Sequence, residues 1–144
     1  VKTMEEKRNL TNDSLQQNID KISAENFYKW NESLKTGNAN LVANLYTKDA
    51  TFLPTMSPDF KVGIDGAREY FTHFLQKKPI GKVIYDKVQV LGPNSYLHSG
   101  MYNFEVGPDN NRQILEARFT FIWVQNNQGE WKIAHHHSSV KPNH

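Results

Sequence analysis

Between residues 15 and 34 apolar side chains recur at Leu15, Ile19, Ile22, Phe27, Trp30 and Leu34. This is the spacing of one buried face of a helix. Asp13 with Gln16 forms a capping-box pair at its head, so the helix is expected to start there. The polar, aperiodic residues 1–12 are then a flexible arm, and 13–144 a single domain. Thr36-Gly37-Asn38 closes the helix: the glycine suits a left-handed cap and Asn38 can start a second, short helix carrying Leu41, Val42, Leu45 and Tyr46. A short strand over 50–54 and a loop between Pro54 and Pro58 follow. A third helix from about residue 63 buries Ile64, Ala67, Phe71, Phe74 and Leu75 before Pro79 stops it. Beyond Pro79 the pattern changes to strands over 82–91, 95–106, 112–124 and 130–139. Their connections are Gly92-Pro93-Asn94, Gly107-Pro108-Asp109 and Asn126-Asn127-Gln128-Gly129. Turns this short predict an antiparallel meander, and the whole reads as an α+β domain with helices on one face of the sheet.

The strand over 112–124 does not alternate apolar with polar. One face carries Leu115, Ala117, Phe119, Phe121 and Trp123; the other carries Ile114, Glu116, Arg118, Thr120, Ile122 and Val124. An antiparallel strand with one wet face alternates cleanly, so both faces are expected to be covered at least in part. Helices cover one. A second copy of the chain is the simplest cover for the other, needing about 800 Å² per partner. The protein is therefore expected to be at least a dimer through the outer sheet face. The alternative cover is the polar N-terminal arm.

Composition narrows the function classes. The 144 residues are 38% hydrophobic and 22% charged, which is ordinary globular usage. Seventeen basic against fifteen acidic residues leave a net charge of +2. No basic stripe tracks a phosphate backbone, so nucleic acid is not an expected partner. No apolar run reaches the ~20 residues that span a bilayer, so no membrane is expected either. The absence of cysteine excludes disulfides and thiolate metal sites. The chain begins at Val1, so an upstream segment is expected to have been removed. If that segment was a signal peptide the protein is periplasmic, and otherwise cytoplasmic.

Trp30, Thr36-Gly37-Asn38, LVANLYTKDATFLPT from Leu41, GIDGAREYFTHFL from Gly63 and EARFTFIWVQNNQGEWKIAHHHSS from Glu116 together resemble the nuclear-transport-factor-2-like superfamily. Within it the chain is most similar to bacterial proteins related to the association (hub) domain of calcium/calmodulin-dependent protein kinase II. The likeness spans about residues 26–142 and is most specific in the closing strand, Trp131-Lys132-Ile133-Ala134-His135-His136-His137-Ser138. The hub domain also carries Trp, a hydrophobic pair and His-x-His there, but has Arg where this chain has Ser138, so its ligand preference does not transfer. The resemblance implies a cone: a strongly curved antiparallel sheet wrapped around the long first helix, with two shorter helices, a pocket at the open end and dimers through the outer face. Ketosteroid isomerases, polyketide cyclases and dehydratases share the fold, so fold alone does not decide function.

The candidate site combines Glu116 and Arg118 on one strand with His135 and His137 on the next. A four-residue loop over 126–129 pairs Gln125 with Glu130, which sets Arg118 opposite His137 and Thr120 opposite His135. A one-residue slip brings His136 and Ser138 to that face instead. A buried arginine needs an anion, either Glu116 or a ligand carboxylate. The alternative is a structural Arg118–Glu116 pair with the histidines bonded to backbone or to a dimer partner. Tyr46, Tyr102 and Trp30 are expected to line the cone, although aromatic side chains there are also core packing. His-x-His lacks a third ligand unless His73 or His98 comes near, so no metal is expected, and no cofactor is implied. The expected function is an oligomeric domain that binds a small polar or anionic ligand or acts as a scaffold. Signals for catalysis are few. The rival reading is an isomerase, cyclase or dehydratase with His137 or Asp49 as general base.

Overall fold

The protein is described by a computed structural model covering residues 4–142, with side chains described from residue 14 onward. Helix α1 runs Met4–Lys35, α2 Ala39–Ala43 and α3 Gly63–Phe74, the last extended by a 3-10 turn at Leu75–Lys77. The strands are β1 Tyr46–Leu53, β2 Lys61–Val62, β3 Ile80–Gly92, β4 Ser95–Val106, β5 Gln113–Gln125 and β6 Trp131–Val140. They form one six-stranded sheet in the order β2-β1-β6-β5-β4-β3. The expected meander is its larger part, with β3 to β6 pairing antiparallel in sequence. Strand β1 joins it in parallel to β6, and β2 adds a short antiparallel edge.

Helix α1 starts earlier than the capping box predicts. Of the arm expected over residues 1–12, residues 4–12 are helical and 1–3 lie outside the described residues. No glycine or proline interrupts residues 4–12, and Met, Leu, Glu, Lys and Arg among them favour helix, so nothing local stops it at Asp13. The far end follows expectation. Gly37 sits at φ +70°, and the Asn38 side chain accepts from the Asn40 backbone N–H to cap α2. Tyr46 opens β1 and is not part of α2.

Ile19, Ser23, Asn26, Trp30 and Leu34 form the buried stripe of α1 and lie on the concave face of the sheet. Two polar members of the stripe are satisfied: Asn26 Nδ2 donates to Tyr96 Oη at 2.8 Å and Ser23 Oγ to the Asp20 carbonyl at 2.8 Å. Against them stand Tyr96, Tyr102 and Phe104 from β4 and Ala117, Phe119, Phe121 and Trp123 from β5, all buried. Phe52 of β1 and Phe71 and Phe74 of α3 close the wider end.

The sheet curves where extra residues interrupt the pairing. β3 is bulged at Ile84 and Leu91, and β6 at Ala134. Gly100 of β4 accommodates the first bulge, because a Cβ there would stand 2.0 Å from the Tyr85 carbonyl oxygen. The loop before β6 spans residues 126–130, one residue longer than expected, so Gln125 pairs with Trp131. The Ala134 bulge then adds a second residue of offset. Arg118 therefore pairs with Ser139 and Thr120 with His137, a two-residue shift from the predicted register. An even shift preserves the faces, so Arg118 and His137 share one face as predicted.

That face is the outer one. Phe119, Phe121 and Trp123 turn toward α1, and Arg118 and Glu116 are exposed. The physical reason is the balance of areas. Each aromatic ring buries roughly 150–250 Å² at about 25 cal/mol per Å², whereas burying the guanidinium costs several kcal/mol.

Candidate functional site

Trp30, Tyr46 and Tyr102 stand inside the cone, each about 1% exposed. The predicted polar partners do not join them. Arg118 donates from Nη2 to Ser139 Oγ at 3.2 Å, and Glu116 pairs with Lys141 at 3.2 Å, both on the outer surface. His137 is exposed, and half-buried His135 is bonded through Nδ1 to Thr51 Oγ1 at 2.7 Å beside it. Asp49 is exposed on β1, accepting from Thr47 Oγ1 at 3.1 Å. His73 lies exposed on α3, and His98 is buried on β4, where its Nε2 meets Asp86 Oδ2 at 2.9 Å.

Of the three histidines on β6, the one that enters the cone is His136. It is stacked against Phe121, with ring centroids 4.0 Å apart, and against Phe52 at 4.8 Å. The indole of Trp30 stands edge-on at 5.6 Å. The Ala134 bulge sets this placement, since Ile133 and His136 both point inward although three positions separate them.

A chain of polar contacts runs through His136. Trp30 Nε1 donates to Tyr46 Oη at 3.3 Å, and Tyr46 Oη meets His136 Nδ1 at 2.8 Å. His136 Nε2 lies 3.3 Å from Tyr102 Oη, which donates to Ser138 Oγ at 2.6 Å. Ser138 Oγ is bonded in turn to Thr55 Oγ1. Tyr70 Oη donates separately to the Thr55 carbonyl at 2.8 Å. Burial holds the His136 imidazole well below its ordinary range, and the neighbouring His135 and His137 push the same way. Burial likewise raises the phenols of Tyr46 and Tyr102. The whole chain is neutral at physiological pH.

A cavity of about 10 Å³, room for about one water, lies beside this chain and is lined by Trp30, His136, Tyr102, Ser138 and Thr55. Phe52, Tyr70, Phe71, Phe74 and Phe104 complete its wall. Thr55, Tyr70 and Phe74 also line an outer hollow of about 320 Å³, rimmed by Met56, Asp59, Lys61, Glu69, His73 and Lys77. Thr55, Tyr70 and Phe74 thus stand between the inner cavity and the outer hollow on the α3 side. His136, Ser138, Thr55 and Tyr70 were not among the predicted site residues. The one-residue alternative at the histidine run contained the first two.

The fold and this interior define a curved-sheet α+β cone, open at one end, with a neutral polar chain set into an aromatic lining. Residues 16–142 match the sequence profile of the calcium/calmodulin dependent protein kinase II association domain, and the chain belongs to that family. A Xanthomonas campestris protein assigned to the same association domain is 36% identical, with a TM-score of 0.81 over 86% of this chain and 88% of that one. A nuclear transport factor 2-like protein from Salmonella enterica superposes with a TM-score of 0.72 at 18% identity, over 92% of this chain and 94% of its own. A Novosphingobium aromaticivorans protein assigned as a scytalone dehydratase gives 0.76 at 10% identity, over 90% and 88%. The last two likenesses show the fold alone. Among curated proteins there is no match.

Proposed function

We propose that the protein is an oligomeric association domain whose cone binds a small molecule at the Ser138–Thr55 end of the His136 chain. The observation that carries the ligand reading is the polar chain itself. A core built only for stability gains little from an imidazole, four hydroxyl-bearing side chains and an indole N–H buried together, because each must be desolvated and paired. Here they end at a cavity that adjoins an open hollow. The rival isomerase, cyclase or dehydratase reading rested on His137 or Asp49 as base, and both side chains lie outside the cone.

The oligomer reading rests on the family, named for association, and on the outer sheet face. Leu97, Met101, Ile122 and Val124 stand there, none of them fully buried, with Tyr85 exposed on the neighbouring strand. Single exposed apolar residues are ordinary, but Leu97, Ile122 and Val124 are neighbours on this face, and such a cluster marks an interface. A homodimer covers this set without another protein.

Light scattering on the purified chain at micromolar concentration tests the assembly. The expected mass is at least twice 16.7 kDa, and a mass of 16.7 kDa overturns it. For the ligand reading, a small-molecule stability screen is expected to return compounds whose effect is lost in the Thr55→Val, Ser138→Ala double variant. Hits that act equally on that variant would place binding elsewhere.

A further inference from the structure

We propose that the cone takes an uncharged planar molecule through a hydrogen-bond acceptor, such as a ketone or amide carbonyl, which receives a hydroxyl hydrogen from the Thr55–Ser138 pair. The inference rests on the ligand-binding reading above and specifies the chemical class that the site selects.

The argument begins at Trp30, because an indole N–H only donates. Its donation to Tyr46 Oη leaves the Tyr46 hydrogen for His136 Nδ1. Neutral imidazole carries one hydrogen, so with Nδ1 accepting, that hydrogen sits on Nε2 and is directed at Tyr102 Oη. Tyr102 then donates to Ser138, as its geometry shows. Trp30, at the start of the chain, thus sets the direction of the links as far as Ser138.

Counting hydrogens gives the consequence. Trp30, Tyr46, His136, Tyr102, Ser138 and Thr55 bring six polar hydrogens to five links. The surplus falls at the Ser138–Thr55 end, where two hydroxyl hydrogens serve one link. Tyr70 does not absorb it, since its own hydroxyl donates to the Thr55 carbonyl. Both hydroxyls line the inner cavity, so the spare hydrogen is available to a group placed there. A group that accepts it needs a lone pair, and the aromatic walls suit a flat apolar body around it.

Charge excludes the anionic alternative. Among the described residues, no arginine, lysine, aspartate or glutamate lines the cavity. Arg118, the guanidinium expected to meet a carboxylate, is on the far side of the sheet. Lys61 and Lys77 reach only the outer hollow, where Lys61 is already paired with Glu69 at 2.7 Å. An anion in the inner cavity would be desolvated without a cation. Entry of a single ring requires Tyr70, which lines both the inner cavity and the 320 Å³ hollow, to turn off the Thr55 carbonyl.

Two measurements on the full chain test this. The first is a binding titration at neutral pH with acetophenone, benzamide, benzoate and toluene, followed by NMR at the His136 ring. Acetophenone and benzamide are expected to bind at least about tenfold more tightly than benzoate or toluene. Toluene binding as well as acetophenone would overturn the acceptor claim while leaving the cavity as a binding site. Benzoate binding most tightly would overturn the uncharged class. Failure of all four probes would remove the ligand reading together with this inference. The second measurement is the nitrogen-15 spectrum of His136, expected to show hydrogen on Nε2 and a bare Nδ1. Hydrogen on Nδ1 reverses the chain and overturns the proposal whatever the titration gives.

Discussion

His136 shows how one residue ties the interior to pH. An unfolded histidine titrates near about 6.5, whereas burial holds the folded imidazole well below that. Below about pH 6.5 the unfolded chain therefore takes up a proton that the folded chain refuses. Stability is full above that pH and falls as pH drops, by at most about 1.4 kcal/mol per pH unit, until the folded imidazole titrates too. His135, lowered by its own partial burial and by His137, contributes with the same sign. His136→Phe keeps the stacking on Phe121 and Phe52 but leaves the Tyr46 hydrogen without its acceptor and Tyr102 Oη without its donor, at a cost of about 1–3 kcal/mol each. The expected result by urea denaturation is a lower stability at pH 7 and a shallower loss between pH 6.5 and 5. Parallel losses in the two proteins would show that His136 is not the group responsible.

At the scale of elements, the helices and the meander were legible because their signals are local. Leu15 to Leu34 repeats at helical spacing, and Gly37 and Asn38 are the residues that a cap requires. The register of β6 was not legible. Its offset comes from one extra loop residue and one bulge residue at Ala134, and neither leaves a mark in composition. The inward face was decided by area, which the strand over 112–124 does display in Phe119, Phe121 and Trp123. Arg118 on the opposite face, expected in the candidate site, lies outside because its charge is costly to bury. In β6 itself, residues 135–139 are polar on both faces, so alternation offered no guide. Gly100 permits the bend at Ile84, and Gly100→Ala would press a methyl group against backbone. A loss of about 1–3 kcal/mol is expected, seen as melting several degrees lower. Unchanged melting would mean that β3 shifts at no cost.

For the whole molecule, the two faces of the sheet divide the work. The concave face carries the neutral cavity, and the convex face carries the proposed seam between copies. Ile122 lies on the convex face opposite Leu97 and points away from His136, though its pairing partner in the sheet is the adjacent His135. Ile122→Lys is expected to lower the mass found by light scattering to that of one chain, with the far-ultraviolet circular dichroism unchanged. An oligomer of undiminished mass would move the interface elsewhere on the surface.

The run of three histidines on β6 gives the interior a tolerance to insertion and deletion. Pleating sends alternate side chains inward, so a one-residue change in the loop or at Ala134 exchanges the inward set for its neighbours. At most positions that exchange replaces an interior residue with a surface one. Here His135 or His137 takes the place of His136, and an imidazole still stands between the tyrosines. The sequence stores a spare copy of its central group on either side, at the one strand where the register is least fixed by hydrophobic pattern.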